Sequence, residues 1–78
     1  MPRYHFNVHD GHDLPDKDGV LLKGPKEARA QAVIATGEAI RDLGARFWQS
    51  PGDWRMHVTD EQGATVCSLR FSGTKGVP

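Results

Sequence analysis

Apolar and polar residues alternate strictly from Arg3 to His9, with Tyr4, Phe6 and Val8 on one side and His5, Asn7 and His9 on the other. A period of two predicts a strand with one buried and one wet face. The pattern returns from Trp54 to Thr59, where Trp54, Met56 and Val58 oppose Arg55, His57 and Thr59. It returns again from Thr65 to Phe71, where Cys67, Leu69 and Phe71 oppose Val66, Ser68 and Arg70. Between these two runs, Asp60-Glu61-Gln62-Gly63 has the form of a hairpin turn with glycine in the left-handed position. Val20-Leu21-Leu22, bounded by Gly19 and Gly24, predicts a brief second strand lying back beside the first.

The period changes after Gly24-Pro25. Proline suits the first helical position, where its missing N–H costs nothing, and Glu27 sets a negative charge in the positive first turn. Ala28, Ala32, Ala35, Ala39, Leu43 and Phe47 then step by three or four along one side, with Ile40 beside them. Small residues let a helix lie close on a sheet. Gly44 is a possible cap, but Phe47 continues the stripe, so the helix is predicted to reach about Trp48 and to end at Ser50-Pro51-Gly52. Strand, short strand, helix, strand, strand describes an α+β fold: a four-stranded antiparallel sheet (ββαββ) with one helix on its inner face. The strand order 2-1-3-4 makes every neighbour antiparallel. Residues 1–72 form the domain, and residues 73–78 read as a flexible tail.

Composition narrows the class. The chain has 78 residues, ten basic and ten acidic side chains, four histidines and one cysteine. A chain this short buries only about 60% of its unfolded surface, so self-association is a natural supplement to a thin core. Zero net charge argues against a general polyanion binder, and the sheet carries almost none of the outward aromatics that single-strand nucleic-acid binders use. Neutrality is nonetheless an average, because residues 10–18 hold four aspartates against one lysine. Protonation of the four histidines below about pH 6.5 would carry the net charge from zero toward +4. A lone Cys67 makes no internal disulfide, and no run resembles a signal peptide or a membrane span; the expectation is a cytoplasmic protein. No phosphate-binding glycine loop, nucleophile elbow, C-x-x-C or H-E-x-x-H is present. The chain is therefore expected to be no enzyme and to need no cofactor.

Two surfaces stand out as candidate sites. His5, Asn7 and His9 on the first strand, Arg55 and His57 on the third and Arg70 on the fourth project from the outer sheet face. If the first and third strands pair, their imidazoles could meet across strands and take a metal ion or an anion, with His12, Asp10 and Asp13 nearby. The competing reading is an ordinary solvated face, the commoner fate of such a surface, since His5 and His9 lie roughly 13 Å apart along a strand. Phe47, Trp48 and Trp54 are the second candidate, as core residues or, where exposed, as contact anchors. Asp16-Lys17-Asp18-Gly19 matches the middle of a calcium loop, but Leu14 and Pro25 stand where its carboxylates belong, so a solvated turn is expected. Cys67 reads as an inert core thiol.

Met1-Pro2-Arg3-Tyr4-His5-Phe6-Asn7-Val8-His9-Asp10-Gly11, with Asp18-Gly19, Glu27-Ala28, Trp54, Val58-Thr59-Asp60-Glu61, Gly63, Leu69 and Phe71, resembles a family of short bacterial proteins known as a domain of unknown function. That family typically opens P-R-Y-Y-F-x-V-x-D-G, and here His5 replaces the second aromatic. The resemblance covers nearly the whole chain and implies a small cytoplasmic bacterial protein, without assigning any catalytic or binding residue. A weaker similarity, in strand, acidic loop and helix, is to HicB-like antitoxins, which implies a toxin-binding role; the DNA-binding segment usual in that class is missing. The expected function is a non-catalytic interaction or regulatory module, homodimeric through a sheet edge or the Phe47–Trp54 region, or engaging an unidentified protein partner. The alternatives are a metal- or anion-binding protein using the outer face and an antitoxin-like toxin binder.

Overall fold

The structure, a computed structural model, describes residues 1–49 and 52–76. In chain order the elements are β1 (Arg3–His9), β2 (Asp13–Leu14), β3 (Val20–Leu21), α1 (Pro25–Leu43), a 3₁₀ segment (Gly44–Gln49), β4 (Asp53–Thr59) and β5 (Thr65–Ser72). They make an α+β fold with one antiparallel sheet of five strands. β4 pairs with one edge of β1, and β5 pairs with the far edge of β4. β2 and β3 share the other edge of β1, at opposite ends of it: β3 opposes Arg3 and Tyr4, and β2 opposes Val8 and His9. The predicted order therefore holds, with one strand more than predicted. Asp13-Leu14 is too short and too polar to show a period, and it pairs because the loop doubles back on β1.

The helix begins as its sequence demands. Pro25 takes the first helical position, Gly24 precedes it in extended backbone, and Ala28 N–H donates to Gly24 O at 3.0 Å. Ala28 and Ala32 are fully buried, which brings α1 down on Tyr4, Trp54, Met56 and Val58. Ala35, Ala39, Ile40 and Leu43 continue the contact as partly buried residues. The helix ends earlier than predicted, at Leu43. Gly44 adopts φ +53°, a conformation costly for other residues, and its N–H closes on Ile40 O. Phe47 still reaches the core, through the 3₁₀ segment instead of an extended helix. The predicted stop at Ser50-Pro51 lies outside the described residues.

The hairpin between β4 and β5 turns at Asp60–Gly63 as expected. Gly63 has φ +83° and donates to Asp60 O, while the Asp60 carboxylate accepts from the amides of Gln62 and Ala64. Val58 opposes Cys67 and Thr59 opposes Thr65, so Val66 is an extra residue and forms a bulge at the start of β5. The predicted inner set is confirmed except at its end. Phe71 is 42% exposed, although its ring packs edge-on to Phe47 with centroids 5.2 Å apart. Gly73, assigned to the tail, donates to Gly52 O and lies against the Trp48 and Phe47 rings. Among the described residues no helix is long and apolar enough to cross a membrane.

Candidate functional site

The outer face brings together the strands expected to carry the site but not the imidazoles. Asn7 lies opposite His57, and His9 lies opposite Arg55. Each histidine then turns to its own partner. His5 Nδ1 donates to the Asp16 carbonyl at 2.7 Å, His9 Nδ1 to Asp13 Oδ1 at 2.7 Å, and His57 Nε2 is hydrogen-bonded to Thr65 Oγ1 at 2.8 Å. Among the described residues no three of His, Cys, Asp and Glu are grouped to hold a metal ion. What remains is an open groove of about 550 Å³ between His9, Asp13, Pro15, Arg55, His57 and Asn7.

Two of the candidate site residues prove to be structural. Asn7 Oδ1 accepts from Asp16 N–H at 2.9 Å while its Nδ2 donates to His57 O at 3.1 Å. With the His5 bond, this ties the acidic loop to β1. Asp16 completes the knot: its Oδ2 accepts from Phe6 N–H and its Oδ1 from Gly19 N–H. The Phe6 amide lies in the gap between β2 and β3, so a side chain supplies the acceptor that a strand would otherwise provide. Gly19 is fixed by the same geometry. Its φ is +71°, and a Cβ there would sit 2.8 Å from the Tyr4 carbonyl oxygen. The expected solvated turn is thus a clamp, legible in part from the spacing Asp16-x-x-Gly19.

Arg55 and Arg70 are directly opposed across β4 and β5, an arrangement that repels unless an anion intervenes. Asp53 supplies it, with Oδ1 2.9 Å from Arg70 Nε and Oδ2 3.0 Å from Arg55 Nη2. The hydrogen bond from Arg70, helped by the charge of Arg55, holds the Asp53 carboxyl below the usual carboxylate range despite its partial desolvation. Both arginines are consequently half-spent before any ligand arrives. On the other face, burial pushes the Cys67 thiol up from its ordinary value, with nearby Arg29 pulling it the other way, so it is poorly suited to act as a nucleophile. Of the aromatic candidates, Phe47 and Trp54 are buried in the core, and only Trp48 is exposed.

Sequence reading missed the feature that distinguishes the two sheet edges. The profile of a family described as a domain of unknown function, DUF6894, matches residues 3–72. The chain belongs to that family. The match spans every strand and the helix, so the clamp at Asp16 and the whole of β5 lie within the DUF6894 domain. No curated protein and no solved structure matches the chain.

The edge of β5 stands open. It is an eight-residue strand without proline or lysine, its bulge is confined to Val66, and no described element covers its outer side. Folded proteins ordinarily blunt such an edge with short strands, charges, bulges or a covering loop. The edge of β1 has those protections, and β5 has few of them.

Proposed function

We propose that this DUF6894 chain is a non-catalytic interaction module that works as a homodimer, each copy adding its β5 edge to the sheet of the other. The observation that carries the reading is the open β5 edge. Apolar surface points the same way. Among the described residues eight large hydrophobic side chains are exposed, against five that are buried: Tyr4, Phe47, Trp54, Met56 and Val58. A core so small gains from a partner that extends the sheet.

Light scattering coupled to size exclusion tests this across micromolar concentrations. Wild type is expected at twice the chain mass. Ser68→Pro, which removes an edge N–H at a position where proline is tolerated, is expected at the chain mass with an unchanged circular dichroism spectrum. A monomeric wild type, or a Ser68→Pro variant that stays dimeric, overturns the proposal.

A further inference from the structure

Resting on that self-association, we infer that the two β5 strands pair antiparallel with Leu69 on the two-fold axis. The phase of the hydrogen-bond ladder carries the argument. Gly73 N–H donates to Gly52 O, and these residues continue the register that sets Phe71 opposite Trp54 and Leu69 opposite Met56. Antiparallel pairs alternate between exchanging both backbone bonds and exchanging none. Phe71, Leu69 and Cys67 therefore spend their amides on β4, while Ser68, Arg70 and Ser72 point theirs out from the open edge.

Two β5 strands related by a two-fold axis must match these outward groups to each other. Three positions of the axis do so near the middle of the strand: Ser68, Leu69 and Arg70. An axis at Arg70 sets two guanidinium-bearing residues directly opposite, which repels. An axis at Ser68 runs the ladder into the Val66 bulge after a single residue on either side. An axis at Leu69 avoids both faults. Ser68 then meets the partner's Arg70 and Arg70 meets the partner's Ser68, giving four backbone hydrogen bonds inside the regular part of β5.

The side chains suit the same register. On the helix side Leu69 packs on the partner's Leu69, and Phe71, 42% exposed in one chain, packs on the partner's Cys67. The helix overlooks this edge. Arg29 lies near enough to Cys67 to act on its thiol, and Val33, one turn further along the same flank, is 61% exposed. A standard interface takes about 800 Å² from each partner, roughly a seventh of the 5497 Å² that one chain exposes. The β5 edge with that helix flank is the surface that supplies it.

Disulfide trapping reads the register directly. In a Cys67→Ser background, single cysteines replace Ser68, Leu69 or Arg70, and inter-chain cross-linking is followed under mild oxidation. Leu69→Cys is expected to cross-link roughly tenfold faster than the other two, because facing residues of a non-hydrogen-bonded pair lie about 4.5 Å apart at Cα, within disulfide reach. Since Leu69 is partly buried, a second arm uses only exposed positions: mixed Ser68→Cys and Arg70→Cys chains should form the hetero-disulfide in preference to either homodimer. Fastest cross-linking at position 68 or 70 overturns the register and leaves edge pairing standing. A dimeric mass with no cross-link in either arm overturns edge pairing as well, and a monomeric mass overturns both.

Discussion

The two edges of this sheet are finished in opposite ways. Along β1 each stretch of the outward side has a partner: β3 at Arg3 and Tyr4, the Asp16 carboxylate at Phe6, and β2 at Val8 and His9. Leu22 N–H donates to Pro2 O, and Arg3 reaches back to the Asp18 carbonyl at 2.6 Å, so the closure extends past the strand itself. Along β5 the outward amides of Ser68, Arg70 and Ser72 meet no acceptor among the described residues. Residues 10–24 are devoted largely to closing one edge, while no described element pairs with the outer side of the other. The lesson is that an exposed edge in so small a domain is informative when the same chain shows how it closes an edge.

Breaking the closed edge should have the largest effect. Asp16→Ala strands the Phe6 and Gly19 amides and loosens the loop, which should cost about 3 kcal/mol and lower the melting temperature by roughly 15 °C. Differential scanning calorimetry checks it, and the fraction that remains folded should still be dimeric. Gly19→Ala strains a positive φ and drives a Cβ toward the Tyr4 carbonyl, for about 2 kcal/mol in urea denaturation.

Near the open edge the effects on stability are smaller and depend on conditions. Asp53→Asn leaves Arg55 facing Arg70 without an anion between them. Because the folded carboxyl titrates below its ordinary value, its stabilising contribution is fully present above about pH 4 and is lost as pH falls through the lowered value. Urea midpoints of wild type and Asp53→Asn should therefore differ at pH 7, less so in high salt, and converge in acid. The smallest effect is expected away from both edges: Ile34→Glu, at a 55% exposed helix position, should change stability by no more than about 0.5 kcal/mol and leave the mass dimeric.

Most of the fold was legible because it rests on periodicity. Three alternating strands, an alanine stripe and the Asp60–Gly63 turn each announce themselves locally, and their partners follow from antiparallel economy. The helix end is not legible in the spacing, because Phe47 keeps the helical period while Gly44 has already broken the helix. The candidate site is less legible. Alternation correctly set His5, Asn7 and His9 on the outer face, but it says nothing of what a loop brings to them. Asp16 converts two presumed ligand residues into fastenings. The order 2-1-3-4 sets β5 at an edge from the sequence alone, but the contrast with a β1 edge closed by β2 and the Asp16 carboxylate depends on loop geometry that periodicity does not carry.

The central claim, that β5 is the edge through which two copies join, is tested most directly by residue-resolved amide exchange at low and high protein concentration. The Ser68 and Arg70 amides should exchange freely when the protein is dilute and become protected as it is concentrated, while the Phe6 amide stays protected throughout. Concentration-independent exchange at Ser68 and Arg70 would contradict it.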